Sequence, residues 1–124
     1  MTAKDAAKIF IVDDHPLMRT GLRQLINEEP GLSICGEAGS VHEAIQLLAD
    51  MNPDAAIIDL SLRDGSGLDL IKRIRARNDD IRILVLSMHD ESLFSERALR
   101  AGAMGYISKQ EAPRGANGLA MTLH

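Results

Sequence analysis

Acidic, hydroxyl and ammonium side chains recur at the ends of apolar runs in this chain: Asp13 and Asp14 after 9–12, Asp59 after 55–58, Ser87 after 83–86, and Lys109 just beyond 106–107. Three carboxylates, a hydroxyl and an ammonium are the groups that manage a phosphoryl group with the help of magnesium. The carboxylates can hold a hard divalent cation, and one of them can accept the phosphoryl group. Ser87 and Lys109 can hold its oxygens. Electrostatics point the same way. Two carboxylates roughly 4 Å apart repel by about 4 kcal/mol at an effective dielectric of about 20, and a third makes this worse, so a divalent ion is the natural relief.

Such a site exists only if the pieces converge, and the elements between them say how they would. The apolar runs are short and without alternation, as in strands covered on both faces. In an open parallel α/β sheet the carboxyl ends of the strands line the ligand crevice, which would bring Asp13, Asp14, Asp59, Ser87 and Lys109 to one pocket. Pro16 fits a first helical position, and Leu17, Met18, Leu22, Leu25 and Ile26 repeat at helical spacing until Pro30-Gly31. Segment 32–38 is a less continuously apolar strand suited to a sheet edge. Ser40 to Glu43 resembles a capping box, opening a second helix that carries Ala44, Ile45, Leu47 and Leu48 to Asn52-Pro53.

Asp64-Gly65-Ser66-Gly67 reads as a turn before a third helix marked by Leu68, Ile71 and Ile74, with Lys72, Arg73, Arg75 and Arg77 as solvated surface. A fourth helix over about 91–101 has Leu93, Phe94, Ala98 and Leu99 as its apolar side and stops at Gly102. Strands alternating with helices predict an α/β fold, a doubly wound five-stranded parallel sheet of order 2-1-3-4-5 with helices on both faces.

The regular pattern ends at Lys109, so 1–109 is read as the domain core and 110–124 as an atypical tail. Ala112-Pro113 would start a fifth helix acceptably, but Gly115, Asn117 and Gly118 interrupt it, each glycine costing about 0.8 to 1 kcal/mol against alanine. A short or disordered fifth helix is expected, and an under-covered sheet edge there invites a homodimer.

At 124 residues the chain suits one core. A formal net charge of -4 supplies no electrostatic footprint for nucleic acid. Cys35 is the lone cysteine, which excludes an internal disulfide and reads as a small buried hydrophobe in a reducing, cytoplasmic setting. The first residues carry no secretory apolar core, and no stretch is apolar enough for a membrane span. His15, His42, His89 and His124 do not form a close metal-ligand pattern, so no zinc site is expected, and His15 reads as a loop or cap residue.

Taken singly, each candidate has a plainer reading: a capping aspartate, a surface lysine, a turn serine. Taken in order, the segments Ile11-Val12-Asp13-Asp14-His15-Pro16, Ile57-Ile58-Asp59-Leu60, Leu84-Val85-Leu86-Ser87 and Gly105-Tyr106-Ile107-Ser108-Lys109 resemble the receiver domain of bacterial two-component response regulators. The Asp-His-Pro start and Ser87-Met88-His89-Asp90 are similar to the NarL/FixJ group, whose members usually continue into a LuxR-type helix-turn-helix output domain that these 124 residues do not contain.

The resemblance implies that Asp59 accepts a phosphoryl group from a sensor histidine kinase. It implies that Asp14, Asp59 and the backbone carbonyl of Ser61 hold Mg2+ while Asp13 reaches it through water. It further implies that Lys109 pairs with a phosphoryl oxygen, and that Ser87 and Tyr106 act as switch residues. The domain would be a regulatory phosphoacceptor and not an enzyme in its own right, and DNA would be met only through an output domain.

Three positions depart from the family's common pattern or bear on its rivals. Arg63 stands where many receivers have proline, and Met88 is bulkier than the usual residue after the switch hydroxyl. Ser61 occupies the place where a haloacid-dehalogenase-like phosphatase needs a second aspartate, which argues against a hydrolase. The competing expectation is a receiver-shaped interaction module that does not switch because its fifth helix is defective.

Overall fold

The computed structural model describes residues 6–62, 65–78, 80–87 and 92–108. Arg63, Asp64, Met88, His89, Asp90, Lys109 and the expected tail lie outside them. The order of elements is β1 (Ala7–Val12), α1 (Pro16–Glu28), β2 (Leu32–Ala38), α2 (Val41–Leu48), β3 (Ala55–Asp59), β4 (Ser61–Leu62), β5 (Gly65–Ser66), α3 (Gly67–Arg77), β6 (Arg82–Ser87), α4 (Ser92–Ala101) and β7 (Gly105–Ser108). The main sheet is five-stranded and parallel, ordered β2-β1-β3-β6-β7. In terms of its own five strands that is the anticipated 2-1-3-4-5.

Continuous apolar runs form the central strands because both sheet faces are covered. Alternate residues feed two cores. Phe10, Val12, Ala56, Ile58, Ile83 and Val85 share one with Val41, Ala44 and Leu48 of α2, Leu70, Ile71 and Ile74 of α3, and Ala98 of α4. Ile9, Ile11, Ala55, Ile57, Leu84 and Leu86 share the other with Leu22 and Ile26 of α1. Helices therefore stand on both faces.

The helix starts are set locally. Pro16 occupies the first turn of α1, and its N-cap is His15, whose side chain makes no capping bond. At α2 the Ser40 hydroxyl accepts from the Glu43 amide at 3.0 Å, while the Glu43 carboxylate accepts from the Gly39 amide at 2.7 Å. That is a capping box whose return bond lands one residue early. Gly102, at φ +124°, ends α4 in a backbone region that few side chains tolerate.

Several details differ from the sequence expectations. Of the expected turn Asp64-Gly65-Ser66-Gly67, Gly65-Ser66 forms β5, paired antiparallel with β4, and Gly67 already belongs to α3, while Asp64 lies outside the described residues. Helix α2 ends at Leu48, short of Asn52-Pro53. Leu17 is 88% exposed and Leu99 44% exposed, so neither belongs to its helix's buried side. Arg75 is not solvated surface: its Nε and Nη2 both donate to the Gly102 carbonyl, at 3.0 and 2.7 Å, tying α3 to the end of α4.

Cys35 is half-buried rather than buried, packed at the edge of the first core. It falls at a bulge in β2, because β1 pairs Ile9 with Ile34 and then Phe10 with Gly36. Burial pushes its thiol pKa up, against smaller opposing effects of its own backbone and Lys8.

Candidate functional site

Register builds the site. Val12 pairs with Ile58, so the next residues along the two neighbouring central strands are Asp13 and Asp59. Both are fully buried, and the Asp14 side chain is 8% exposed. The Asp13 amide donates to the Ala38 carbonyl at 3.0 Å, extending the β1–β2 ladder beyond β1 and fixing the point where the chain turns. One Asp13 carboxylate oxygen accepts from the His15 amide at 2.7 Å, which sets its rotamer.

Asp59 is positioned from below by a glycine. A Cβ at Gly67 would lie 2.8 Å from the Leu60 Cα and would overlap the Asp59 carbonyl oxygen. The start of α3 can pass this close to the Asp59 backbone only because residue 67 has no side chain. The Gly67 amide also donates to the Leu60 carbonyl at 3.2 Å.

His15 is the residue that sequence reasoning missed. Its Nδ1 lies 3.1 Å from an oxygen of Asp13, 3.1 Å from one of Asp14 and 3.8 Å from one of Asp59, while the ring remains half exposed at the mouth. Adjacency to the acidic pair was the available signal, but which way the imidazole turns is a rotamer choice that adjacency does not fix. One ligand atom from each of Asp13, Asp14, His15 and Asp59 can be chosen so that all lie within 4.8 Å of one another.

This donor set fits magnesium. Three carboxylates supply hard oxygens, two of them fully buried, and their mutual repulsion in that setting favours a small divalent cation. A site of three carboxylates and one imidazole without cysteine does not resemble a structural zinc centre.

Of the remaining expected residues, Ser61 begins β4, two residues past Asp59. Ser87 ends β6, one step beyond the Leu86 that pairs with Asp59, and pairs with Ser108 of β7. The side chains of Ser61 and Ser87 lie outside the described set, as does Lys109. Tyr106 lies in β7 beside Val85 and is 46% exposed, with its ring turned outward. The structure thus brings Asp13, Asp14 and Asp59 together and places Ser87 at the same edge of the sheet.

A doubly wound sheet with buried carboxylates ending its central strands is a receiver-type α/β domain. Residues 9–116 match the response regulator receiver domain family, and the chain belongs to it. It is 41% identical over 104 residues to the DNA-binding transcriptional activator DevR/DosR of Mycobacterium tuberculosis, covering 82% of this chain and 47% of that protein. To the nitrate/nitrite response regulator NarL of Escherichia coli K12 it is 35% identical over 115 residues, covering 91% and 52%. A crystal structure of a LuxR-family two-component response regulator from Aurantimonas superposes with a TM-score of 0.86 at 36% identity, covering 95% of this chain and 85% of that one. The chain spans about half the length of the curated relatives it matches. Among the described residues no helix is long and apolar enough to cross a membrane.

Proposed function

We propose that this domain is the phosphoryl-accepting switch of a two-component pathway, with Asp59 as acceptor and a sensor histidine kinase as donor. The observation that carries the reading is the convergence of Asp13, Asp14 and Asp59, their ligand atoms within 4.8 Å, at the carboxyl edge of the sheet. An Asp59 carboxylate oxygen forms a bond to phosphorus as the donor's P–N bond breaks. The electron pair leaves with the imidazole nitrogen, which takes a proton from solvent. Burial keeps the Asp59 carboxylate in one orientation and limits the water that would compete with it.

Asp14 and Asp59, with the Ser61 carbonyl, would hold Mg2+, and Asp13 would act through water. The ion supplies charge neutralisation for the carboxylates and for the phosphoryl oxygens. Ser87 and Lys109 are assigned the remaining phosphoryl oxygens, and Ser87 with Tyr106 the coupling to the outer face. This assignment rests on the family pattern and, for Ser87 and Tyr106, on their strand positions. An outward Tyr106 is the arrangement from which an inward turn would register phosphorylation as a population shift. The reading includes a cytoplasmic location and transcriptional output through a DNA-binding partner domain, as the names of the longer relatives suggest.

The test is phosphoryl incorporation from a small-molecule phosphodonor, followed by intact mass, with and without Mg2+. One phosphoryl group is expected on the wild type with Mg2+ and none on Asp59→Asn. A variant lacking the Asp59 carboxylate that gains phosphate at the wild-type rate sinks the assignment.

A further inference from the structure

The acidic cluster is braced from outside by an arginine that the chemistry itself does not use. Arg19 lies at the start of α1, and its Nη1 donates to the Asp13 carbonyl oxygen at 3.1 Å. The Asp13 amide is already held by the Ala38 carbonyl, so both backbone groups of Asp13 are fixed, one by β2 and one by α1. The carbonyl that Arg19 grips belongs to the peptide joining Asp13 to Asp14. Its orientation therefore sets the direction in which the Asp14 side chain leaves the backbone.

The brace is itself held in place. Glu37 lies 4.0 Å from Arg19 Nε and accepts from Arg23 through two bonds, at 2.6 and 3.0 Å. Gly39 leaves room for the guanidinium, since an added Cβ would lie 2.6 Å from Arg19 Nη1.

We propose that Arg19 is a positioning residue for the cation site, acting through the Asp13–Asp14 peptide. The inference rests on the reading that Asp14 takes part in binding Mg2+. Two effects of removing Arg19 oppose each other. Losing a positive charge near three carboxylates favours a cation, whereas losing the brace frees the peptide and disfavours it. Arg19 meets Asp13 through a direct bond to its backbone carbonyl, whereas its charge reaches the carboxylates only through a partly solvated surface and beside Glu37, which Arg23 shares, so the loss of positioning is expected to dominate. The sign of the change is therefore diagnostic. A purely structural arginine would leave the Mg2+ affinity of the folded protein unchanged, and a purely electrostatic one would oppose binding.

The experiment is Mg2+ titration by calorimetry on the wild type, Arg19→Ala, Arg19→Lys and Gly39→Ala, each shown to be folded by its thermal melt without Mg2+. Arg19→Ala is expected to weaken binding about 10-fold, the low end for an outer partner of a metal ligand, and Arg19→Lys to restore part of it. Gly39→Ala is expected to shift affinity the same way, because what it displaces is the flexible end of Arg19. It carries the test if Arg19→Ala does not fold. Phosphoryl incorporation by Arg19→Ala should return to the wild-type rate at saturating Mg2+. Unchanged or tighter Mg2+ binding in a folded Arg19 or Gly39 variant overturns the proposal. Failure of the wild type to bind Mg2+ instead overturns the reading of the site on which it rests.

Discussion

His15 shows how one side chain can set the threshold of a site without belonging to its chemistry. With a proton on Nδ1, the imidazole donates to the Asp13 carboxylate at 3.1 Å and lies equally near an oxygen of Asp14, and so competes with any cation for that space. A hydrogen bond of this kind has a net worth of about 1 kcal/mol. His15→Ala is accordingly expected to tighten Mg2+ about fivefold, read by the same titration, with little change in the melt because the ring is half exposed. The opposite sign would mean that the imidazole helps to hold the ion.

At the scale of elements, the start of α3 governs where Asp59 sits. Gly67→Ala forces a methyl group into the Asp59 and Leu60 backbone, and overpacking against backbone costs about 3 kcal/mol. Urea unfolding of that variant should show the loss, and its phosphoryl incorporation should fall even where it remains folded. This close approach was not legible in the sequence, where Asp64-Gly65-Ser66-Gly67 carries only a turn signal. Two-residue strands such as β4 and β5 have no periodicity to read, and nothing local says that residue 67 must pass beneath residue 59. The strands that carry the site were legible for the opposite reason: runs such as 9–12 and 55–58 are apolar on both faces because both faces are covered. Between these cases lies α1. Its inward residues Leu22 and Ile26 follow helical spacing, whereas Leu17 shares that spacing but stands 88% exposed in the first turn after Pro16. Arg75 was misread because its partner, the Gly102 carbonyl, is 27 residues away, just past the end of another helix.

For the molecule as a whole, what matters is that Asp13 follows, and Asp59 ends, strands that have neighbours on both sides, β1 between β2 and β3, and β3 between β1 and β6. Fraying at the C-terminal ends of the helices, away from Arg19 and Gly67, leaves these residues where they are, and displacing both carboxylates together is expected to need opening of the central strands. Amide exchange then becomes a gauge of site occupancy. A ligand present at 100 times its dissociation constant adds about 2.7 kcal/mol to global stability, and only amides that exchange through global opening feel it in full. The amides of Ile11 and Ile57 are expected to exchange about 100-fold more slowly at that Mg2+ concentration, while that of Asp50, just beyond α2, keeps its rate. Equal slowing at all three would place the ion's influence elsewhere. A domain built this way has no cheap local route by which to displace Asp59. On the proposed function, any rapid loss of signal would have to come from chemistry at the phosphorylated carboxylate and not from unfolding around it.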